Sequence, residues 1–309
     1  ILIPPKVREI GKNAFENCSK LKKVEFLDNS ELVLIDDYAF KNTSSLDTII
    51  IGSRIKRIGI SAFESAKLDS IQFKDSQNSE LKIIDKYAFK NCEFTQILIP
   101  PSVQIIEDNA FEYCYNLKTI NFDENSQLKT LGNSLFKSTK IESIEIPSRV
   151  DDIRDKCFES ICNLKSIIPK KENEHYSFLS EGMLLYKENV KSSFFDTLIY
   201  VNPSLKKVKI PSYVKHISMN AFLNNCCEYI EFLKGCEVDF IHRNSIISYF
   251  TKTIIAPLSL INEPSFFGYY ADIKQIGIID EGNVTIDKFT FAGFKNISCI
   301  SFPNAETVR

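Results

Sequence analysis

Of the side chains able to hold a metal or attack an electrophile, the most diagnostic are nine cysteines and three histidines in 309 residues. His175, His216 and His242 are scattered and form no ligand pair. Cys226-Cys227 is adjacent, a spacing that matches no metal-ligand pattern. Cys18, Cys92 and Cys114 share one position, three residues after a Phe, and its equivalents elsewhere are Thr43, Ala66 and Thr139. Cys, Thr and Ala have small size in common, so these positions read as small residues buried against a turn. Carboxylate pairs such as Asp36-Asp37 and Asp151-Asp152 fall in polar turns and read as solvated caps. There is no Gly-rich phosphate loop, zincin helix or nucleophile elbow. The expectation is a non-enzymatic protein with no cofactor and no metal.

The elements that would position any site follow from composition and repetition. Hydrophobic residues make up 44% and charged residues 25%, the balance of a folded domain rather than a disordered or collagen-like chain. Lys+Arg is 38 against 40 Asp+Glu, so the basic excess expected of a nucleic-acid groove is missing. No apolar run approaches the roughly 18 residues of a membrane span, so no direct membrane insertion is expected. The chain carries 24 Phe and no Trp, which points to one apolar slot used many times.

A small residue followed by Phe recurs at Phe15, Phe40, Phe63, Phe89, Phe111, Phe136 and Phe158, and again at Phe222 and Phe291. The first seven are separated by 25, 23, 26, 22, 25 and 22 residues. Long units carry a polar bulge, as from Phe73 to Leu81 and from Phe122 to Leu128. Short units carry a tight turn instead, such as Ile51-Gly52-Ser53-Arg54 or Ile99-Pro100-Pro101-Ser102. Gly and Pro there end a strand and turn the chain. The opening Ile1-Leu2-Ile3-Pro4-Pro5 recurs letter for letter at 97–101, so the chain begins within its repeat and a longer protein is expected.

Residues 103–122 show the unit. Val103 and Ile106 are apolar three apart, as are Cys114 and Leu117, and Ile120-Asn121-Phe122 alternates like a strand. Three-residue spacing suits a short helical or 3-10 turn. One unit cannot bury its Phe alone; stacked units can.

The pattern Val103-x-x-Ile106, Ala110-Phe111, Cys114, Leu117-x-x-Ile120-x-Phe122 resembles the leucine-rich repeat of the BspA-like, Treponema-type family. The resemblance covers residues 1–168 almost without gaps and returns at 205–232 and 284–303. It implies an α/β leucine-rich-repeat solenoid, a curved stack of short parallel strands with short helical or 3-10 turns, interrupted by a β-hairpin insert. The expected layout is regular repeats over 1–168, the insert over 169–204, and further repeats over 205–309, in one continuous solenoid. Residues 176–203 read as a hairpin, Phe178 to Tyr186, a polar link, then Thr197 to Pro203, and Gly182-Met183-Leu184 looks like the centre of the insertion the family often carries. Degenerate rungs are expected at 238–283, where Asn244-Ser245-Ile246 and Phe266-Phe267 replace Ala-Phe.

The family further implies strands that line one face. Residues flanking the central Ile of Leu-x-x-Ile-x-Phe then point outward. The candidate partner-binding residues are Lys23, Glu25, Thr48, Ser70, Gln72, Gln96, Thr119, Asn121, Ser143, Glu145, Ser166, Tyr229 and Glu231. Ile50, Leu98 and Ile168 occupy the same outward register. Of 22 outward positions read this way, four are charged, which suits protein or glycan contact better than phosphate capture. The expected partners are host or matrix proteins, possible glycans included, with display at the cell surface or secretion. The alternative is an intracellular scaffold in a cytoplasmic or cytoskeletal assembly, toward which nine cysteines without even pairing lean.

Overall fold

In the computed structural model, residues 1–309 are described except 28, 162, 180–181, 189, 224, 239, 242–249, 263–271, 281, 287–290, 292–294, 303–304 and 309. The chain divides into two compact units, Ile1–Asn173 and Glu174–Arg309.

The first unit is a stack of rungs, each passing through two rows of parallel strands. One row is a continuous seven-stranded sheet of two-residue strands, from Glu9–Ile10 to Asp152–Ile153. Its inward residues, Ile35, Ile58, Ile84, Ile106 and Leu131, are fully buried. The other row holds longer strands, among them Thr48–Ile51, Ser70–Phe73, Gln96–Ile99, Thr119–Phe122, Ser143–Ile146 and Ser166–Pro169. Alternate side chains of this row point into the stack, as the two-residue period requires.

Between the rows runs the Ala-Phe turn. The rings of Phe15, Phe40, Phe63, Phe89, Phe111, Phe136 and Phe158 stack in one column, with centroids 5.1, 5.2, 5.4, 5.7, 6.1 and 6.3 Å apart. Phe94 closes the column edge-on against Phe89 and Phe111. Offset stacking adds about 0.5–1.5 kcal/mol per pair beyond the area buried.

The expected helical turns do not form, and the α/β class is corrected accordingly: the fold is a parallel β-solenoid with almost no helix. Among the described residues there are one four-residue α-helix, Leu258–Ile261, and one three-residue 3-10 helix, Ser76–Asn78. The reason lies in the Ala-Phe turn. The residues two before and two after each Phe of the column are left-handed, for example Asn109 (φ 60°) and Tyr113 (φ 60°) around Phe111. A helix needs an unbroken run of right-handed residues, and a left-handed residue at each end of the three central ones forbids it. This arrangement turns alternate N–H groups toward the next rung: Asn109, Phe111 and Tyr113 donate to the carbonyls of Asn133, Leu135 and Lys137 at 2.9, 3.1 and 2.9 Å.

The small residue after Phe has a second role beyond its size. Cys92 and Cys114 thiols donate to the carbonyls of Phe63 and Phe89 in the preceding rung, at 3.2 and 3.0 Å. Thr43 and Thr139 hydroxyls donate instead to Phe40 and Phe136 of their own rungs, at 2.7 and 2.8 Å. Nor are Asp36 and Asp37 merely solvated: Arg57 holds them at 3.3 and 3.0 Å and reaches Asp85 in the next rung at 2.8 Å.

The second unit opens with three antiparallel strands, Tyr176–Leu179, Met183–Tyr186 and Thr197–Val201. The single arm expected from Phe178 to Tyr186 is thus two strands. Gly182 (φ 86°) breaks it, because a left-handed residue in a tight reversal favours glycine. Thr197–Val201 then pairs in parallel with His216–Ile217. A five-stranded parallel sheet follows: Lys207–Ile210, Tyr229–Phe232, Thr253–Ala256, Gln275–Ile278 and Cys299–Ser301. Phe222, Phe232, Ile230 and Leu198 lie in its core. Asn244-Ser245-Ile246 and Phe266-Phe267 lie outside the described residues.

Candidate functional site

Outward side chains of the long-strand row form the candidate surface. In the first unit Lys23, Glu25, Thr48, Gln72, Gln96, Thr119, Asn121, Ser143 and Glu145 are exposed, while Ser70 and Ser166 are half-buried. Parallel pairing sets them side by side: Thr48 with Ser70, Gln96 with Thr119, and Ser143 with Ser166. The Ser166 hydroxyl donates to Ser143 at 2.9 Å.

Backbone pairing joins these strands two by two. It links Thr48–Ile51 to Ser70–Phe73, Gln96–Ile99 to Thr119–Phe122, and Ser143–Ile146 to Ser166–Pro169. The ladder breaks after Phe73 and Phe122, where the polar bulges leave the strand and part it from the next. Neighbouring pairs meet at their leading ends, through the Glu93 N–H to Leu68 carbonyl bond (3.1 Å) and the Lys140 N–H to Leu117 carbonyl bond (2.9 Å).

Each bonded pair sets one apolar outward residue beside one polar one. Leu2 faces Glu25, Ile50 faces Gln72, Leu98 faces Asn121, and Ile168 faces Glu145. Leu2, Ile50, Leu98 and Ile168 are each about half exposed. These four are the residues that the sequence reading passed over as site members. Their signal was present, since they share the outward register, but their apolar type reads as core.

Where Glu25–Phe26 and Thr48–Ile51 touch through the single bridge Lys23–Thr48, the face opens into a cavity of about 540 Å³. Buried Val24 and Ile49 are among its lining, with Lys23, Glu25, Gln72 and Arg54 around them. The Lys23 ammonium lies 2.5 Å from Glu25 and holds that carboxyl below its usual range. Both groups are well exposed, so the pair adds little to stability.

Tyr229 and Glu231 lie in the second unit and form their own cluster. Tyr229 donates to Glu231 at 3.1 Å, and Lys209 pairs with Glu231 at 3.0 Å. The Lys207 ammonium sits 5.7 Å from the Tyr229 ring centre. Burial and then the Glu231 charge push the Tyr229 phenol up. Lys207 and Lys209 were missed from the sequence, although Leu205-x-x-Val208-x-Ile210 places both in the outward register. Among the described residues no group of three or more His, Cys, Asp or Glu is placed to hold a metal ion. No described helix is long and apolar enough to cross a membrane.

Residues 1–81, 82–195 and 196–308 match the BspA type leucine rich repeat region, in six copies. Three solved structures show the same fold. A leucine-rich repeat protein from Bacteroides ovatus superposes with a TM-score of 0.64 at 23% identity, covering 100% of this chain and 82% of that one. The pneumococcal vaccine antigen PcpA gives 0.60 at 20% identity, covering 97% and 67%. A leucine-rich cell surface protein from Faecalibacterium prausnitzii gives 0.56 at 20% identity, covering 99% and 88%. No curated protein matches the chain.

Proposed function

Because this chain belongs to the BspA-type leucine-rich repeat family, we propose that it is a non-enzymatic protein-binding module whose long-strand face docks a partner. The observation that carries this reading is the composition of that face: small polar side chains in register, punctuated by half-exposed Leu2, Ile50, Leu98 and Ile168. Isolated apolar residues set among hydrogen-bonding neighbours give a partner area to bury and polar groups to satisfy at its rim. The thirteen candidate residues act in this reading as contact residues, and Tyr229 with Glu231 as an aromatic and charged contact of the second unit. The Tyr176–Val201 meander is read as an insert between repeats.

Display at the cell surface with an adhesive role is the setting we favour. Its support is the likeness in fold to a vaccine antigen and to a cell surface protein. One observation favours the alternative of an intracellular scaffold: the eight described cysteines are all unpaired. A thiol count on unreduced protein separates the two settings, disulfides favouring display and nine free thiols the interior.

The docking test uses immobilised protein and a soluble extract of host extracellular matrix. Wild type should retain a matrix protein. Thr119→Arg with Asn121→Arg should lose it while unfolding at the same temperature, since both side chains are exposed. Equal retention by the double variant would remove the strand face from consideration.

A further inference from the structure

We propose that a trough at the leading edge of the strands in the first unit binds one neutral sugar ring of a glycan. Turn lengths build the trough. From the column Phe to the next inward apolar residue there are six steps in Phe40–Leu46 and Phe111–Leu117, but five in Phe63–Leu68 and Phe89–Phe94. Two consecutive rungs are therefore one residue shorter than the rungs on either side. The result is a cavity of about 410 Å³, with Ser44 contributed by one long turn and Tyr115-Asn116 by the other. Rungs repeat at about 4.8 Å, so these walls stand about 14 Å apart, backbone to backbone. That leaves room for a pyranose ring between side chains.

The lining has the chemistry of a polyhydroxylated ligand. Tyr115 is 54% exposed, and its ring lies on Tyr113 with centroids 5.7 Å apart and planes inclined 20°. Tyr113 is in turn held by the Lys90 ammonium, 5.3 Å from its centre, so the platform is backed. The electron-rich face of an exposed tyrosine attracts the polarised C–H groups of a sugar ring. Beside Tyr115 on the same wall is Asn116, and Glu93 belongs to one of the short turns between the walls; neither side chain has a hydrogen-bond or ion-pair partner among the described residues. A carboxylate and an amide offer acceptors and donors to adjacent hydroxyls, which themselves both donate and accept. The Asn91 amide, also in the lining, donates to the Ser65 hydroxyl at 3.2 Å. Lys67 and Glu93 oppose each other in charge, and Lys67 is already paired with Asp47 at 3.5 Å. The trough therefore has no preference for an anion. Its floor residues Ala66 and Cys92 are small and buried, so an apolar side chain gains little there.

With no Trp to mask them, the 12 Tyr give an emission to which the trough's Tyr113 and Tyr115 contribute one part. Cellohexaose, xylohexaose, maltohexaose and chitohexaose are titrated separately, with calorimetry as the second readout. At least one should give a saturable signal. Tyr115→Ala should weaken it tenfold or more, Glu93→Gln and Asn116→Ala several-fold each, and Tyr115→Phe little, since the stacking face survives. Ile50→Asp with Leu98→Asp should leave sugar binding unchanged while testing the strand face, so the two proposals fail separately. Saturable binding by none of the four sugars overturns the proposal, as does wild-type affinity in Tyr115→Ala. Saturation by N-acetyl-tyrosinamide without any sugar response also overturns it and assigns the trough to peptide side chains.

Discussion

A Cβ on Gly132 would lie 2.4 Å from the backbone nitrogen of Asp108, one rung back. That approach lets the Asp108 carboxylate accept the Asn133 N–H at 2.9 Å. Gly59 stands in the same relation to Asp37, at 2.6 Å. Gly52, in the tight turn after Ile51, has nothing within 4 Å. Gly132→Ala should therefore destabilise by about 3 kcal/mol, the upper end for overpacking, because backbone cannot swing aside as a side chain can. Gly52→Ala should be neutral or stabilising by up to about 1 kcal/mol. Urea midpoints of the two variants decide this; equal midpoints would refute the close approach.

The phenylalanine column predicts a gradient. Phe111 is fully buried between Phe89 and Phe136, whereas Phe194 stands outside the column and is 58% exposed. Phe111→Ala should cost about 3–5 kcal/mol, and Phe194→Ala well under half of that. Denaturant unfolding of each variant gives the comparison, and similar losses would contradict the column.

Arg154 clips two rungs together. Its guanidinium meets Glu107 at 2.8 Å and Asp108 at 2.9 Å, with each side chain a third exposed or less. Burial alone pushes the Asp108 carboxyl up, but the Asn133 N–H, Arg154 and Lys86 outweigh it and hold that carboxyl below its ordinary 3.8. A depressed carboxyl contributes stability above its unfolded value and loses it as pH falls through the folded one. Arg154→Met should cost about 1–3 kcal/mol at pH 7. The gap from wild type should narrow once pH drops below 3.8, as Asp108 protonates. A gap constant from pH 7 to pH 2.5 would assign the loss to packing.

The buried thiols make the protein sensitive to alkali. Burial pushes Cys114 from 9.0 up to about 12 and raises Cys92 and Cys157 well above 9.0. A raised thiol contributes stability that is whole below pH 9 and lost as pH climbs toward the folded value. Cys114 alone should impose a slope of about 1.4 kcal/mol per pH unit above pH 9. Other groups titrate there too, so the measurement is the difference between wild type and Cys114→Ala. That difference should shrink as pH rises from 9 to 11, and a constant difference would count against the buried thiol.

Ile50 and Leu98 separate surface function from stability. Both are about half exposed. Ile50→Thr with Leu98→Thr should shift unfolding by less than about 0.5 kcal/mol per site. The same double variant should lose capture of the matrix protein that wild type retains. A large loss of stability would show that these residues belong to the core.

The repeat, its register and its inward column were legible in the residues, because stacking makes every rung solve the same burial problem with the same letters. Phe40, Phe63, Phe89, Phe111 and Phe136 announce the column by spacing alone, and Thr119 and Asn121 are placed outward by alternation with Ile120 and Phe122. What the letters did not carry was the hand of the backbone around each Phe. Asn, Ser, Tyr and Lys all occupy the left-handed positions, and Tyr and Lys have no local reason to adopt them. The hydrogen bonds from one rung to the next impose that conformation, so only the stacked structure could replace the expected helical turns with turns bounded by left-handed residues. The same holds for the surface. Sequence determined which residues point outward. Tertiary structure decided where the strand ladder parts, where Gly132 must be bare, and where two short turns side by side leave a trough, because each of these depends on the length and backbone path of the neighbouring rungs.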